Sequence, residues 1–244
     1  MARPLLGEWL REGPFALAMS SGFFGFFAHA GVLTVLEDLG LLPTRVAGSS
    51  AGALVTGAWA GGVDAARLGE ELARLRRDDF WDPHPGAGLL RGGLFRARLE
   101  ALIPARQFAE CRAAITISTY DVLARRTRVL AAGALAPAIH ASCAVPFMFH
   151  PVRVEGRLLV DGGVADRPGL AGMPSGERVL FHHLVSRSPW RRPGSPSMDV
   201  PVREGLVAVA LPGLPRVGPF RLHEGPRAFE AARRGMREAL ARPI

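Results

Sequence analysis

The feature of this sequence that most constrains its fold is a serine between two glycines, at the point where an apolar segment passes into a helix-forming one. The serine is Ser50, in the frame Gly48-x-Ser50-x-Gly52. This spacing is typical of a nucleophile elbow, a sharp and strained strand-to-helix turn, because bulkier residues at the flanks would collide with neighbouring backbone. The run 51–60 predicts the helix, whose N-terminus would favour negative charge near Ser50. Ser50 is therefore the candidate nucleophile.

Two further segments give this turn its context. Residues 15–19 predict a short buried strand that leads into a glycine-containing turn and a helix, an arrangement that can present backbone N–H groups to an anion. Downstream, an apolar strand ends at Asp161, which is followed by Gly162 and Gly163. An acid at a strand end beside a tight turn is well placed to face a pocket, whereas an isolated Asp-Gly-Gly more often only caps its turn.

Apolar segments rich in aliphatic and β-branched residues alternate with helix-forming segments. This alternation predicts an α/β fold with a mostly parallel sheet covered on both faces. The 244 residues fit a single domain, 1–244, in which the proline-rich stretch 187–201 is a surface loop. The predicted strands are 15–19, 44–48, 113–119, 126–131, 158–160, 178–185 and 206–211, and the predicted helices are 28–39, 51–61, 64–77, 94–102, 134–142 and 226–241.

In order and spacing, these blocks resemble the patatin-like phospholipases over about residues 15 to 168. That family has a glycine-rich oxyanion loop after its first strand, a G-x-S-x-G elbow and an Asp-Gly-Gly or Asp-Gly-Ala whose aspartate pairs with the serine. The segment 141–152 is also similar to the family. The resemblance implies a three-layer αβα sandwich and a serine lipid acyl hydrolase with a Ser50–Asp161 dyad. Its substrates would be phospholipid or lysophospholipid esters, and it would need no cofactor or metal.

The loop after the first strand departs from the family pattern. Where the family has three glycines, a small residue and then Arg or Lys, this chain has Ser21, Gly22, Phe23, Phe24 and Gly25. Because an oxyanion hole uses backbone N–H groups, we expect Gly22 and Phe23 to donate if Phe23 keeps a negative φ. A positive φ there would require a remodelled loop. The alternative reading is a catalytically weak or silent member that binds a lipid or a protein.

The resemblance predicts that Asp161 acts directly as the general base for Ser50, with apolar neighbours desolvating the carboxylate. A conventional triad is the competing mechanism, because Asp199 with His223, or Asp161 with His183, also follow the serine in the required order. We expect His223 to be a solvated surface residue. We likewise expect His29, inside the first helix of the motif, to be structural.

The charge and the aromatic residues bear on partners. All 30 basic residues are arginine and the net charge is +8, yet no aromatic-interleaved basic stripe indicates nucleic-acid binding. We expect the positive charge to attract the protein to an anionic membrane rather than to nucleic acid. The cluster Phe23, Phe24, Phe26 and Phe27 either lines an acyl pocket or meets lipid, or else packs into the core. A second predicted lipid contact is Trp190 with Arg191 and Arg192.

The remaining sequence features exclude several classes of protein. Cys111 and Cys143 are too few for a disulfide framework or a multi-cysteine metal site. The apolar stretch 15–27 after Arg3 and Arg11 imitates a secretory signal, but acidic residues and its interruption by polar residues favour a folded strand and loop. Because no run of 18 apolar residues occurs, we expect a cytoplasmic protein with peripheral membrane contact at most.

Overall fold

A computed structural model describes residues 3–185 and 199–244 of the chain. Within those ranges strands and helices alternate over most of the length. The helices are α1 (Leu6–Arg11), α2 (Phe26–Asp38), α3 (Ala51–Ala60), α4 (Ala65–Ala73), α5 (Gly93–Leu102), α6 (Leu135–Ser142) and α7 (Gly225–Leu240). The strands are β1 (Ala16–Met19), β2 (Arg45–Ser49), β3 (Gly88–Leu90), β4 (Ala114–Asp121), β5 (Arg126–Leu130), β6 (Phe147–Phe149), β7 (Val152–Val154), β8 (Arg157–Asp161), β9 (Val179–His183) and β10 (Leu206–Ala210).

The described residues form an eight-stranded sheet with the pairing order β10-β9-β1-β2-β4-β8-β7, to which β5 is added through β4. Strands β10, β9, β1, β2 and β4 are parallel, whereas β5 and β8 run antiparallel to β4. Strand β1 is buried at all four positions, as expected of a central parallel strand with both faces covered. The predicted α/β fold with a mostly parallel central sheet is confirmed.

Strand β4 places two important strand ends next to each other. Along residues 117–121 one side of β4 pairs with β5. The other side pairs first with β2, through residues 114–118, and then with β8, through residues 119–121. Strands β2 and β8 therefore lie end to end on the same side of β4, with their C-terminal ends meeting.

The two faces of the sheet are covered differently by the described residues. Side-chain alternation along β1 puts Leu17 and Met19 into the main core, where they join apolar residues from every helix named above. The opposite face carries small side chains and a smaller cluster, with partly buried Leu170 packed against it. The members of that cluster are Ala16, Ala18, Ala47, Met173, Val179 and Phe181.

Most predicted elements lie within one or two residues of their observed bounds, but four elements were missed and one helix was predicted too long. The missed elements are α1, β3, β6 and β7, none longer than six residues. The helix predicted over 64–77 ends at Ala73, and a 3-10 turn follows at Arg77–Asp79. Four consecutive charged residues, 76–79, follow Leu75, and the Asp79 carboxylate accepts a hydrogen bond of 2.8 Å from the Arg76 amide, which begins this separate turn. Residues 187–198 of the predicted loop, including Trp190, Arg191 and Arg192, lie outside the described residues.

No helix in residues 3–185 or 199–244 combines the length and the apolar character that crossing a bilayer requires.

Candidate active site

Ser50 occupies the turn between β2 and α3 and has an unusual backbone conformation. Its φ is +53°, in a region that non-glycine residues rarely adopt. The two flanking glycines are required by close backbone approach: a Cβ at Gly52 would overlap the carbonyl oxygen of Met19, and one at Gly48 would lie 2.5 Å from the amide nitrogen of Ala53. The turn therefore has the strained geometry of a nucleophile elbow, with Ser50 at the N-terminus of α3.

Asp161 ends β8 directly beside this turn. Ser49 pairs with Ser118, and Asp161 pairs with the next residue of β4, Thr119, from the same side. Successive residues of a strand are about 3.3 Å apart along its axis, so the two strand ends are neighbours. Asp161 is 5% exposed, and its Oδ1 accepts a hydrogen bond of 2.7 Å from the Gly163 amide. Its carboxylate is thus buried beside the residue that precedes Ser50.

Three consecutive residues at the end of α6 bond both Ser50 and Asp161. The Ser50 amide donates to the Ser142 hydroxyl at 2.9 Å, and the Cys143 thiol donates to the Ser50 carbonyl at 3.2 Å. The Asp161 amide donates to the Ala144 carbonyl at 2.9 Å. Sequence analysis noted this segment only as similar to the family. The structure gives it a definite role, because it fixes the backbone of both candidate residues.

The ionisation of Cys143 suits this structural role. Burial, and to a smaller extent the nearby Asp161 carboxylate, raises the pKa of the Cys143 thiol well above its ordinary value. The thiol therefore stays protonated at neutral pH and acts as a donor rather than as a nucleophile. Among the described residues, no group of three or more His, Cys, Asp or Glu side chains is placed to hold a metal ion.

The loop between β1 and α2 makes its turn at Phe24. Phe24, and not Phe23, takes a positive φ, at +54°. The Gly25 amide closes the turn on the Gly22 carbonyl at 2.8 Å. Within the described part of the chain, the Gly22 and Phe23 amides donate no hydrogen bond to other protein groups. Phe23 therefore has the negative φ on which the expectation for the Gly22 and Phe23 amides depends.

A buried histidine pair anchors the start of this loop. His29 Nε2 lies 2.8 Å from the Ser20 carbonyl, and the Nδ1 atoms of His29 and His182 lie 2.8 Å apart. Burial lowers the pKa of His29 to about 3 and that of His182 well below its ordinary value, so both rings are neutral. Because a carbonyl only accepts, His29 donates through Nε2–H and accepts at Nδ1 from His182 Nδ1–H. The structural role expected for His29 agrees with its complete burial.

Two further hydrogen bonds and a packing contact hold the same loop. The Ser21 amide donates to the Arg167 carbonyl at 2.7 Å, and the Leu184 amide donates to the Ser20 hydroxyl at 2.9 Å. Gly22 and Gly25 both lie against the tip of the Leu184 side chain, which a Cβ at either position would overlap. Sequence reasoning missed these anchors. The visible signal was a pair of histidines, at 182 and 183, in an otherwise apolar strand.

Ser50 opens into an apolar cavity of about 110 Å³. Three of the four clustered phenylalanines line it, and the fourth, Phe27, is 1% exposed in the core. The only charged lining residues among those described are Arg98 and Glu71, which form an ion pair of 3.3 Å. The other apolar lining residues are Ala51, Leu54, Leu68, Leu72, Leu75, Phe80, Phe95, Leu99, Leu102, Cys143, Val145, Met148 and Phe149.

The histidines of the competing triads are placed differently from each other. His223 lies before α7 with a side chain that is 73% exposed, 3.6 Å from Glu224, which agrees with the expected surface role. Asp199 is exposed. His183 ends β9 and is 2% exposed. Strand β9 is separated from β2 by β1, whereas β8 meets β2 end to end.

A comparison with known proteins identifies the family of this chain. A family model described as Patatin-like phospholipase matches residues 17–172 of the chain. The chain belongs to the patatin-like phospholipase family. The match includes the loop after β1, the Ser50 elbow and Asp161, whereas His182 and Leu184, which anchor the loop, lie outside it. Strand β10 and helix α7 lie outside it.

Curated relatives are longer than this chain. An uncharacterized NTE family protein of Mycobacterium tuberculosis (strain ATCC 25618 / H37Rv) is 33% identical over 159 residues, which cover 62% of this chain and 43% of that protein. The lysophospholipase nte1 of Neurospora crassa is 25% identical over 189 residues, which cover 74% of this chain and 12% of that protein. The chain thus spans less than half the length of these patatin-like relatives.

Solved structures share the fold at low sequence identity. VipD from Legionella pneumophila superimposes with a TM-score of 0.69 and 12% identity, covering 93% of this chain and 66% of that one. A complex of full-length SpcU with full-length ExoU from Pseudomonas aeruginosa gives a TM-score of 0.50 and 15% identity, covering 100% of this chain and 54% of that one. These likenesses concern the fold alone.

Proposed function

We propose that this protein is a serine lipid acyl hydrolase, of phospholipase A or lysophospholipase type, in which Ser50 is the nucleophile and Asp161 the general base. The observation that carries the proposal is the meeting of β2 and β8 at one point of β4, where a strained serine and a buried carboxylate share the segment 142–144 as a backbone anchor. An apolar cavity opens at that serine.

In the proposed reaction, Asp161 takes the hydroxyl proton of Ser50 as its Oγ attacks the ester carbonyl carbon. The tetrahedral intermediate places its oxyanion against the free amides of Gly22 and Phe23, near the N-terminus of α3. As the intermediate collapses, the ester C–O bond breaks and Asp161 returns the proton to the leaving alcohol. Asp161 then deprotonates a water that attacks the acyl-enzyme. As the bond between Ser50 Oγ and the acyl carbon breaks, Asp161 returns that proton to Oγ and the fatty acid is released.

The cavity and the charge support a lipid substrate. The apolar lining of the Ser50 cavity suits a hydrocarbon chain, since only a few polar groups interrupt it. The relative from Neurospora crassa is named a lysophospholipase, which favours phospholipid or lysophospholipid esters for this chain. The net charge of +8 favours peripheral contact with an anionic membrane, because each basic residue near such a surface contributes about 1 kcal/mol.

Labelling with a fluorophosphonate probe tests the proposal, because the probe reacts only with an activated serine. We expect the wild-type protein to be labelled at Ser50, as located by peptide mass spectrometry, and Ser50→Ala to remain unlabelled. Asp161→Asn should also lose labelling. A folded wild-type protein that stays unlabelled would contradict the proposal.

A second candidate function rests on the altered loop. Phe23 and Phe24 stand where the family has a glycine and a small residue, and Phe23 is 39% exposed. These bulky side chains favour binding of a lipid or a protein by a catalytically silent member. An unlabelled protein that still binds lipid vesicles would support this alternative.

A further inference from the structure

A second cavity, of about 330 Å³, adjoins the one at Ser50. Of the described lining residues, Phe23 and Phe24 alone are common to both cavities. They therefore form the partition between the two, with Gly22 on the Ser50 side and Gly25 on the other. The second cavity begins where the oxyanion loop ends.

The lining of this second cavity suits a hydrocarbon chain. Its walls come from α2, from the end of β9, from α7 and from the segment 211–217 that follows β10. Arg216 is the only charged residue among the described lining. The apolar lining residues outside the partition are Ala28, Leu184, Val185, Leu211, Pro212, Leu214, Pro215, Val217 and Ala228.

The partition consists of two aromatic side chains that a single strained turn holds in place. The Phe23 and Phe24 rings pack edge to face with centroids 4.9 Å apart. Phe24 holds a positive φ of +54°, a conformation that costs about 1 kcal/mol or more for a non-glycine residue. Gly22 and Gly25 allow this turn to lie against Leu184. Two aromatic side chains therefore stand between the cavities because the loop forces them there.

We propose that the second cavity binds the uncleaved acyl chain of a diacyl glycerophospholipid whose other chain lies in the Ser50 cavity. The two acyl chains of such a lipid leave neighbouring carbons of one glycerol, so their sites must be adjacent and separated by no more than a side chain. The Phe23–Phe24 partition meets that requirement. Arg216 supplies a positive charge for the phosphodiester. The inference rests on the proposed function and names its substrate: a two-chain lipid rather than a single-chain one.

The first test compares substrates. Val217 lines only the second cavity, so Val217→Trp should fill it. We expect the ratio of kcat/KM for diacylphosphatidylcholine over lysophosphatidylcholine, in mixed detergent micelles, to fall at least tenfold in this variant. Val202→Trp is the matched control, because Val202 is fully exposed, and it should leave the ratio unchanged. An unchanged ratio in Val217→Trp would overturn the inference.

The second test does not depend on turnover. The Ser50→Ala protein is mixed with diether phosphatidylcholines that carry a diazirine at the end of one chain or of the other, and the crosslinks are mapped by mass spectrometry. We expect one probe to label residues 211–217 and the other to label the Ser50 cavity, at residues 68–75 or 95–102. Val217→Trp in the same background should remove only the first label.

The outcomes separate the two proposals. Both probes labelling the same cavity, or no label in residues 211–217, would overturn the second-chain site even if Ser50-dependent hydrolysis is found. Two distinct labels without any Ser50-dependent hydrolysis would instead contradict the catalytic proposal and leave the two-chain site standing.

Discussion

The elbow at Ser50 and the loop at residues 20–25 both approach the same cavity, but their positions are fixed in different ways. At the elbow, Gly48 and Gly52 face backbone atoms, which cannot move without shifting a strand or a helix. In the loop, Gly22 and Gly25 face the end of one side chain, Leu184. The elbow therefore keeps the family pattern, whereas the loop accommodates phenylalanines because hydrogen bonds from elsewhere hold its backbone.

The largest expected effect tests whether the elbow and Asp161 act as one unit. Ser50→Ala and Asp161→Asn should each lower ester hydrolysis roughly 10³-fold or more, because each removes one half of the proton transfer. The double variant should be little worse than either single one, since the residues act together. Steady-state kinetics on a lysophospholipid measures this. Asp161→Asn keeps a side-chain oxygen that can accept from the Gly163 amide, so the unfolding midpoint of this variant should stay near that of the wild type.

The histidine variants supply the opposing outcome for that test. His223→Ala should retain activity, because its ring is exposed beside Glu224. Suppose instead that Asp161→Asn kept activity within tenfold and His223→Ala lost it. The general base for Ser50 would then be a histidine, and Asp161 would not be its partner.

The next effect measures how rigid the elbow is. Gly52→Ala places a Cβ against the Met19 carbonyl, and we expect the free energy of unfolding to fall by about 3 kcal/mol or more, at the upper end for overpacking. Gly218→Ala is the matched control because open space surrounds it, and it should stay within about 0.5 kcal/mol. Urea denaturation measures both. A loss below about 1 kcal/mol for Gly52→Ala would show that the elbow can relax as a loop does.

A third prediction concerns the histidines that anchor the loop. The folded-state pKa of His29 is lowered to about 3, from an ordinary 6.5, and that of His182 is also lowered. Below pH 6.5 these histidines therefore bind protons in the unfolded chain but not in the folded one. Their contribution to the free energy of unfolding is fully present above pH 6.5 and is lost as the pH drops toward 3. His29 should contribute a slope of about 1.4 kcal/mol per pH unit in that window, and His182 should add to the slope below its ordinary pKa.

His182→Asn checks that assignment through the slope rather than through the absolute stability. The variant should lose part of the pH dependence of the free energy of unfolding between about pH 6.5 and 4.5, measured by urea denaturation at each pH. His223→Ala is the control and should keep the full slope, since its side chain is 73% exposed and lies outside the buried pair. Equal slopes in the wild type and His182→Asn would show that the pair is not held neutral by the fold.

The same contrast explains which features the sequence could predict. The elbow was predictable because its glycines and serine are separated by two positions and their steric demand is local. Central strands such as β1 were predictable because burial on both faces makes them continuously apolar. The end-to-end meeting of β2 and β8 on β4 was not, since only the sheet register reveals it; the dyad was inferred from family resemblance.

The anchors of the loop were invisible for a related reason. His29 and His182 are separated by 153 positions, and no pattern in either segment predicts the hydrogen bond between them. The loop pattern itself lacked the expected glycines and basic residue, so sequence reasoning left its conformation open. The conformation of the loop depends on β9, because the end of that strand places Leu184 against Gly22 and Gly25. Long-range contacts of this kind decide loop conformation wherever local sequence does not.

The smallest effect concerns the contact that distinguishes the loop from the elbow. Gly22→Ala should lower the free energy of unfolding by about 1 kcal/mol, because its Cβ would meet the end of the Leu184 side chain. In a Leu184→Ala background the same substitution should be nearly neutral, which gives a coupling of about 0.5–1 kcal/mol in a double-mutant cycle by urea denaturation. Leu184→Ala alone is costly, since the residue is 4% exposed, but the cycle cancels that loss. Gly52→Ala should show no comparable rescue by any side-chain truncation, because its neighbour is a backbone carbonyl. Coupling below about 0.3 kcal/mol at Gly22 would mean that the loop, like the elbow, is fixed by its backbone.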